Sequence, residues 1–239
     1  MNKLSVVMIT KNEEINLPRC LQSVAWADEV VVVDTGSTDA TVEVARRHGA
    51  VVSSVEWMGF GRSKQHAVEQ ASNDWVLVLD ADEEVTPELK SALQACLAAP
   101  THHAYRIKRN SYYLGRLIRH SGWQHDYTLR LFHRGHAAFN DKPVHESVQT
   151  NSPIGRVDAP MLHYTYPTLR SHLEKMSLYA ALGARSLHDR GRRTSLAGAV
   201  LRGFTKFLKM YLWRQGFRDG REGFALAAGE RGEHEPHRD

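Results

Sequence analysis

Two aspartates stand directly after an uninterrupted apolar run, in Trp75-Val-Leu-Val-Leu-Asp80-Ala-Asp82. A run of this kind predicts a buried strand, which would deliver both carboxylates at its C-terminal end. Open α/β sheets bind their ligands at that edge. Paired carboxylates suit a divalent cation that also takes oxygens from a phosphorylated substrate. The alternative from this triplet alone is an acidic turn in which Asp82 caps a helix, because a D-x-D pattern is short and common.

Strand and helix patterns alternate through the first hundred residues. The predicted strands are 4–9, 30–33, 51–55 and 75–79, and the predicted helices are 15–24, 41–48, 64–71 and one that starts near Pro87. This alternation indicates a mostly parallel sheet covered by helices. The second strand ends at Asp34, which we therefore expect at the same edge as Asp80 and Asp82, where it can hydrogen-bond a base or ribose. Turn and capping chemistry explains residues 37–39, and Glu13 suits a helix N-terminus.

Neither of the common phosphate-binding loops is present in the sequence. There is no G-x-G-x-x-G after the first predicted strand and no G-x-x-x-x-G-K-[ST]. A diphosphate would therefore be neutralised in another way. We expect a cation on Asp82, helped by a basic side chain such as Lys64.

The composition is that of a folded protein without a disulfide framework. The 239 residues are 42% hydrophobic and 24% charged, which is ordinary for a globular domain. The two cysteines, Cys20 and Cys96, fall in predicted helices, which favours free thiols and a reducing compartment. The apolar N-terminus is too short for a signal peptide, and no apolar run reaches the length of a membrane span.

Basic residues concentrate near the C-terminus. Residues 185–221 contain ten Lys or Arg and two Asp, a net charge of +8, whereas the whole chain has a net charge of +4. From Leu196 onward, apolar residues recur at helical spacing with Arg202, Lys206 and Lys209 between them. This pattern predicts an amphipathic basic helix suited to the headgroup region of an anionic leaflet. The alternative is a helix that packs on its own domain.

Several motifs occur in a fixed order along the chain. They are Ser5-Val-Val-Met-Ile-Thr-Lys-Asn-Glu13, Val32-Val-Asp-Thr-Gly-Ser-Thr-Asp39, Gly59-Phe-Gly61 with Lys64, Asp80-Ala-Asp-Glu83, Gly122-Trp123 with Asp126, Arg130-Leu-Phe132 and Val144-His-Glu146. Together they resemble the family 2 glycosyltransferases with the GT-A fold. More narrowly, they resemble the lipopolysaccharide core glycosyltransferases that add β-glucose to an inner-core heptose.

This resemblance implies a fold and a set of residue roles. The fold would be α/β, with a mostly parallel Rossmann-like sheet, helices on both faces, an acceptor-side subdomain and C-terminal helices. Lys64 would lie near the base or diphosphate of a UDP-sugar, Asp80 near the ribose, and Asp82 on Mg²⁺ or Mn²⁺. Three residues would line the uridine site: Thr10, Glu13 and Asp34.

An inverting transfer also needs a base outside the nucleotide half, because the attacking acceptor hydroxyl must lose its proton. Glu146 is the first candidate, with His145 as its neighbour and possible orienter. Asp126 is the second candidate. Structural alternatives exist for both carboxylates: Glu146 in an ion pair with an arginine, and Asp126 in a bridge to Arg130.

Arginines and aromatic residues recur through residues 103–165. Aromatic rings stack on sugar faces, and guanidinium groups bind phosphate or carboxylate, both of which an anionic core acceptor offers. From this segment we predict Trp123 and Arg130 as acceptor-binding residues. The alternative is a solvated face with core aromatics.

Taken together, the sequence predicts four segments and one activity. Residues 1–100 form the nucleotide-sugar-binding half, 101–165 the acceptor-binding and catalytic half of the same domain, 166–228 the amphipathic basic helices, and 229–239 a disordered polar tail. The activity that the resemblance implies is metal-assisted, inverting transfer of a hexose, glucose in the first instance, from a UDP-sugar to a lipopolysaccharide heptose. The enzyme would be cytoplasmic, associated with the inner face of the bacterial inner membrane, and would not bind nucleic acid. Alternatives are transfer to a polyprenyl phosphate or another envelope glycan, and, in a different class, a basic nucleic-acid-binding module.

Overall fold

The structure is a computed structural model that describes residues 2–140, 146–189, 191 and 195–229. Its strands are β1 Leu4–Thr10, β2 Glu29–Asp34, β3 Val51–Ser54, β4 Trp75–Val78, β5 Glu83–Val85, β6 Ala104–Tyr113, β7 Arg116–Leu117, β8 Asp126–His133, β9 Ala137–Phe139, β10 Val148–Thr150 and β11 Ile154–Tyr166. Its α-helices are α1 Leu17–Ser23, α2 Thr41–Arg47, α3 Phe60–Gln70, α4 Pro87–Ala98, α5 Leu169–Asp189, α6 Leu196–Leu208 and α7 Gly220–Gly229. A π-helical turn, Lys209–Trp213, follows α6, and a 3₁₀ turn, Gly216–Asp219, precedes α7.

The chain divides into two compact units. The first contains the described residues up to Arg109 together with Tyr127–His163. The second contains Asn110–Asp126 together with the described residues from Tyr164 onward. Residues 110–126, which the sequence placed in the acceptor-side segment, are thus grouped with the C-terminal helices. The roles predicted for the four segments stay predictions, and residues 230–239 of the polar tail lie outside the described residues.

The sheet is ordered β3-β2-β1-β4-β8-β6-β11-β5, with β7 paired to β6. Strands β3, β2, β1 and β4 are mutually parallel, because each pairs with its neighbour in parallel register. Strand β8 runs antiparallel to β4, and β5 runs antiparallel to β11. The predicted α/β class is confirmed, and the parallel strands correspond to the four strands predicted from the alternating pattern.

Helices cover both faces of this sheet, as predicted. Alternate residues of a strand face opposite sides, and in β1 Val6 packs in one buried cluster while Val7 packs in another. Buried residues of α1 and α4 join the cluster of Val6, and those of α3 join the cluster of Val7. The residues that α1, α3 and α4 contribute are Leu17, Cys20, Leu21, Ala67, Val68, Leu89, Leu93 and Leu97.

The start of α4 follows from its sequence. Pro87 occupies the first turn, where its missing N–H is not needed, and the Thr86 hydroxyl accepts a hydrogen bond from the Leu89 backbone N–H at 3.1 Å. The predicted spacing of Leu89, Leu93 and Leu97 is confirmed, because all three are buried. Through these leucines α4 packs on the face of the sheet that carries Val6.

The second unit has a small aromatic core. Tyr113, Trp123 and Met210 are buried there with Ile118, Leu226 and Ala227. The helix predicted from Leu196 onward is confirmed as α6, which continues into the π-helical turn. No helix in the described part of the chain is both long and apolar enough to cross a bilayer.

Replacement of glycine by alanine should have opposite effects at two helical positions of the second unit. A Cβ at Gly203 in α6 would meet no atom within 4 Å, whereas a Cβ at Gly223 in α7 would overlap the carbonyl oxygen of Gly216. We expect Gly203→Ala to raise the free energy of unfolding by about 0.5–1 kcal/mol through helix propensity. Gly223→Ala should lower it by about 1–3 kcal/mol through overpacking. Urea titration measures both changes, and equal shifts in one direction would contradict the packing of α7.

Candidate active site

The carboxyl ends of the parallel strands bring the first predicted site residues together. Thr10 ends β1 and Asp34 ends β2, and the two residues are register partners. Both are buried, and the Thr10 hydroxyl donates a hydrogen bond to Asp34 Oδ1 at 3.3 Å. Asp80 follows β4 at the same edge, because β4 is parallel to β1.

The Asp34 carboxylate organises the turn that follows β2. Its Oδ2 accepts hydrogen bonds from the backbone N–H groups of Gly36 at 3.1 Å and Ser37 at 2.9 Å. Gly36 has a φ of 97°, which favours glycine. Glu13 lies in the neighbouring loop, where its N–H donates to the Thr41 hydroxyl at 2.8 Å. Turn formation therefore accounts for these contacts, and uridine binding by Thr10, Glu13 and Asp34 stays a prediction.

A chain of alternating charges lies at the carboxyl end of β4 in the first unit. Lys64 Nζ lies 3.0 Å from Asp80 Oδ1 and 3.0 Å from Glu146 Oε1. Arg130 Nη2 lies 2.7 Å from Asp80 Oδ2 and 2.6 Å from Glu83 Oε1. Helix α3 supplies Lys64 and strand β8 supplies Arg130, so that two cations from distant parts of the sequence meet at one carboxylate. We call Glu146, Lys64, Asp80, Arg130 and Glu83 the charge chain.

Burial and pairing have opposite effects on the pKa values of the charge chain. Burial favours the neutral form of Lys64, but attraction to Asp80 and Glu146 outweighs it and leaves the Lys64 pKa above its ordinary value. Burial also raises the pKa of Asp80, but Arg130 and Lys64 outweigh that effect and hold it well below its ordinary value. The pKa of Arg130 is raised, because Asp80 and Glu83 outweigh the effect of its burial. These three groups are therefore charged at neutral pH.

Sequence reasoning missed one member of the charge chain, Glu83, and a further cation beside it, Arg109. Glu83 is fully buried, and its second oxygen accepts a hydrogen bond from the Asp80 backbone N–H at 2.9 Å. Arg109 Nη1 on β6 lies 3.6 Å from Glu83 Oε1. Glu83 was visible as the fourth residue of the Asp80 motif, but its burial could not be inferred from an acidic turn. Nothing in the sequence distinguished Arg109 from the other arginines that recur in residues 103–165.

Asp82 has an imidazole beside it. His163 Nε2 on β11 lies 3.6 Å from Asp82 Oδ2, and the two side chains are 13% and 15% exposed. The pairing of β11 with β5, which sets His163 opposite Glu83, brings them together. No metal-ligand spacing in the sequence pointed to His163.

These two groups fit a divalent cation that completes its coordination elsewhere. Carboxylate and imidazole are both metal ligands. Within the described residues no group of three or more His, Cys, Asp or Glu side chains is arranged to hold a metal. A cation at Asp82 and His163 would thus need further oxygens, which a diphosphate and water supply.

The predicted base and acceptor residues fall in different places. Glu146, just before β10, is the end of the charge chain, and its partner is a lysine rather than the arginine considered as an alternative. His145 lies outside the described residues. Asp126, at the start of β8, and Trp123 belong to the second unit. Trp123 is 8% exposed and packs edge-on against Tyr113.

Arg130 has a structural explanation that the sequence did not offer. Its guanidinium is buried between Asp80 and Glu83. These ion pairs account for its presence, as the aromatic core accounts for Trp123. Acceptor binding by either residue stays a prediction.

Comparison with known proteins identifies the family. The model of glycosyl transferase family 2 matches residues 5–158, which include Asp34, the whole charge chain and Asp82. The chain belongs to this family. It is thus a family 2 glycosyltransferase, as its ordered motifs predicted.

Relatives of this glycosyltransferase extend over most of its length. It is 32% identical to an uncharacterized glycosyltransferase of Rickettsia typhi, over 94% of this chain and 81% of the relative. It is 28% identical to the lipopolysaccharide core biosynthesis glycosyltransferase LpsC of Rhizobium meliloti, over 89% of this chain and 83% of that protein.

A solved structure confirms the fold of the glycosyltransferase. The crystal structure of S. aureus TarS 1-349 in complex with UDP-GlcNAc has a TM-score of 0.54 and 17% sequence identity. The match covers 94% of this chain and 79% of that one. At this identity the likeness shows the fold alone, and the GT-A expectation is confirmed.

Replacing Arg130 tests the charge chain. Arg130→Met would leave the buried Glu83 and the neighbouring Asp80 without their closest cation, so that the free energy of unfolding should fall by about 3–5 kcal/mol. Arg156→Met is the matched control in the same unit, because Arg156 and its partner Asp158 are largely exposed. Arg156 also stacks over the Tyr127 ring at 4.0 Å, so its replacement should lower the free energy of unfolding by at most about 1 kcal/mol. Urea titration of both variants measures the difference, and equal stability would contradict the buried pairing.

The same variant predicts a shift in acid unfolding. Asp80 has a lowered pKa in the folded state, so its contribution to stability is present above the unfolded pKa of about 4 and is lost as the pH falls. Without Arg130 the folded pKa of Asp80 lies higher, so that less of this contribution exists. Arg130→Met should therefore unfold at a higher pH than the wild type, and circular dichroism along an acid titration measures this.

Proposed function

We propose that this family 2 glycosyltransferase moves a hexose, glucose in the first instance, from a UDP-sugar to a heptose of the lipopolysaccharide inner core, with inversion. The observation that carries the proposal is the charge chain, which ties the candidate base Glu146 through Lys64 to Asp80, next to Asp82. Two comparisons support it: LpsC is named for lipopolysaccharide core biosynthesis, and TarS was crystallised with UDP-GlcNAc.

The donor would bind along the carboxyl edge of the parallel strands. Asp80 would accept hydrogen bonds from the ribose, and Lys64 would lie near the uracil ring or the diphosphate. Asp82 and His163 would hold Mg²⁺ or Mn²⁺, which stabilises the negative charge on the leaving diphosphate. The uridine contacts are those predicted from the sequence: Thr10, Glu13 and Asp34.

Glu146 would act as the base. The acceptor hydroxyl oxygen forms a bond to the anomeric carbon, the bond from that carbon to the diphosphate oxygen breaks, and the hydroxyl proton passes to the Glu146 carboxylate. Lys64 holds Oε1 of Glu146, so we assign the proton to Oε2. Lys64 is thus a positioning residue, because it fixes the carboxylate that receives the proton.

Glu146→Gln tests this assignment. Glutamine keeps an oxygen that accepts the hydrogen bond from Lys64 but cannot take the proton. We expect kcat to fall by about 10²–10⁴-fold, while the affinity for UDP, measured by calorimetry, stays unchanged. Asp126→Asn is the comparison for the second candidate base. Turnover close to that of the wild type in Glu146→Gln, with a strong loss in Asp126→Asn, would transfer the role to Asp126.

The donor and the metal can be tested without an acceptor. UDP-glucose and UDP-galactose should raise the melting temperature, and Mn²⁺ should increase the shift, because a ligand that binds only the folded state stabilises it. Asp82→Asn should keep a UDP-dependent shift but lose its dependence on Mn²⁺. A metal effect of equal size in Asp82→Asn would show that the cation binds elsewhere.

The identity of the acceptor distinguishes the proposed function from transfer to a polyprenyl phosphate. Radiolabelled UDP-glucose offered to heptose-containing core acceptor, to polyprenyl phosphate and to water should label the core acceptor. Labelling of the lipid phosphate would favour the rival acceptor instead.

Membership of the family removes the reason for proposing a nucleic-acid-binding module. Both acceptors are membrane-linked, so we propose that the enzyme works in peripheral contact with the inner face of the inner membrane.

A further inference from the structure

The second unit presents a row of large apolar side chains to solvent. Leu196 and Phe204 of α6 are 84% and 57% exposed, and Trp213 of the π-helical turn is 86% exposed. Val200 and Leu212 are exposed as well. We call these five residues the apolar band. All residues of α6 are described and none of them is buried, and clustered apolar exposure marks an interaction site.

Two other aromatic side chains, one of α6 and one of the π-helical turn, are already packed within the second unit. Phe207 and Tyr211 stack with their ring centroids 5.3 Å apart. Phe224 of α7 meets both rings edge-on, with centroid distances of 5.7 and 5.6 Å. Helix packing within the unit, the alternative considered from the sequence, therefore explains Phe207 and Tyr211. It leaves the apolar band unexplained.

The charges next to the apolar band have one sign. From Leu196 to Trp213 the sequence contains three cationic residues and no acidic residue. These cations are Arg202, Lys206 and Lys209. A second copy of the chain seated on this surface would set like charges against each other, which is unfavourable. An anionic surface with an apolar interior complements both the charges and the apolar side chains.

A shallow cavity adds a further observation. Leu208, Leu212 and Trp213 line it together with Lys209, and its volume is about 390 Å³. Three apolar walls and one ammonium group suit the upper part of an acyl chain below an anionic headgroup.

We propose that the apolar band docks this enzyme on a bilayer that contains anionic phospholipid. Phe204, Leu212 and Trp213 enter the boundary between headgroups and acyl chains, and Arg202, Lys206 and Lys209 meet headgroup phosphates. The proposal rests on the proposed function only for the identity of the membrane, the inner face of the inner membrane.

Vesicle flotation tests the docking surface with the full chain. The wild type should float with vesicles of phosphatidylglycerol and phosphatidylethanolamine, and should stay at the bottom of the gradient with phosphatidylcholine alone. Salt should weaken the binding, because it screens the cations. Wild-type protein that stays at the bottom with the anionic vesicles at low salt would overturn the proposal.

Matched variants assign the binding to the apolar band. Phe204→Ser combined with Trp213→Ser should lower binding to the anionic vesicles at least about tenfold. Ile15→Ser is the control, because Ile15 is 85% exposed but belongs to the first unit; it should float like the wild type. Arg202→Gln, Lys206→Gln and Lys209→Gln should each lower binding about fivefold. Unchanged flotation of the serine double variant would contradict the assignment.

Two further measurements separate the possible outcomes. Size-exclusion chromatography with light scattering, without lipid, tests for a second copy. A wild-type dimer that the double variant converts to a monomer, without flotation, would identify the apolar band as a protein interface and overturn the proposal.

The UDP-induced rise in melting temperature should be equal in the wild type and the double variant. Flotation without that rise would contradict the proposed function and leave the docking surface standing.

Discussion

The ion pairs around Asp80 are the interaction on which the candidate site depends. Asp80 is partly buried at the end of a buried strand, and its charge needs compensation because partial removal from water is costly. Lys64 comes from α3 and Arg130 from β8, and both meet Asp80 within hydrogen-bonding distance. Helix α3, the end of β4 and strand β8 are therefore joined by the same carboxylate. The ion pairs that form the candidate site also hold these three elements together.

The balance of charge at the candidate site supports the proposal of a cation beside the donor diphosphate. Among the described residues, the candidate site contains three cations, Lys64, Arg130 and Arg109. It contains four carboxylates, those of Asp80, Asp82, Glu83 and Glu146. A diphosphate would add negative charge to a region where the cations are already paired. Attraction alone would not hold it there. A divalent cation at Asp82 would reverse that balance locally, which is the physical reason for proposing it there.

The parts of the fold that were predictable are those that depend on local pattern. Apolar runs marked the parallel strands, and the spacing of Leu89, Leu93 and Leu97 marked α4. The partners of Arg130 and Asp82 were not predictable, because they depend on which strands lie side by side. The order β4-β8 brings Arg130 to Asp80, and the pairing of β11 with β5 brings His163 to Asp82. Alternation of strands and helices does not determine either of these neighbours.

The C-terminal helix shows a different limit of sequence patterns. Periodicity grouped Phe204, Phe207 and Tyr211 on one apolar side, but the structure exposes the first and packs the other two. The exposed Trp213 nevertheless stands on an ordered backbone. The Arg214 N–H donates to the Lys209 carbonyl at 2.8 Å and closes the π-helical turn, and the Arg214 carbonyl accepts from the Ser121 N–H at 2.9 Å. A large side chain on a backbone held in this way loses less conformational freedom when it binds, so its exposure favours docking rather than a loose chain end.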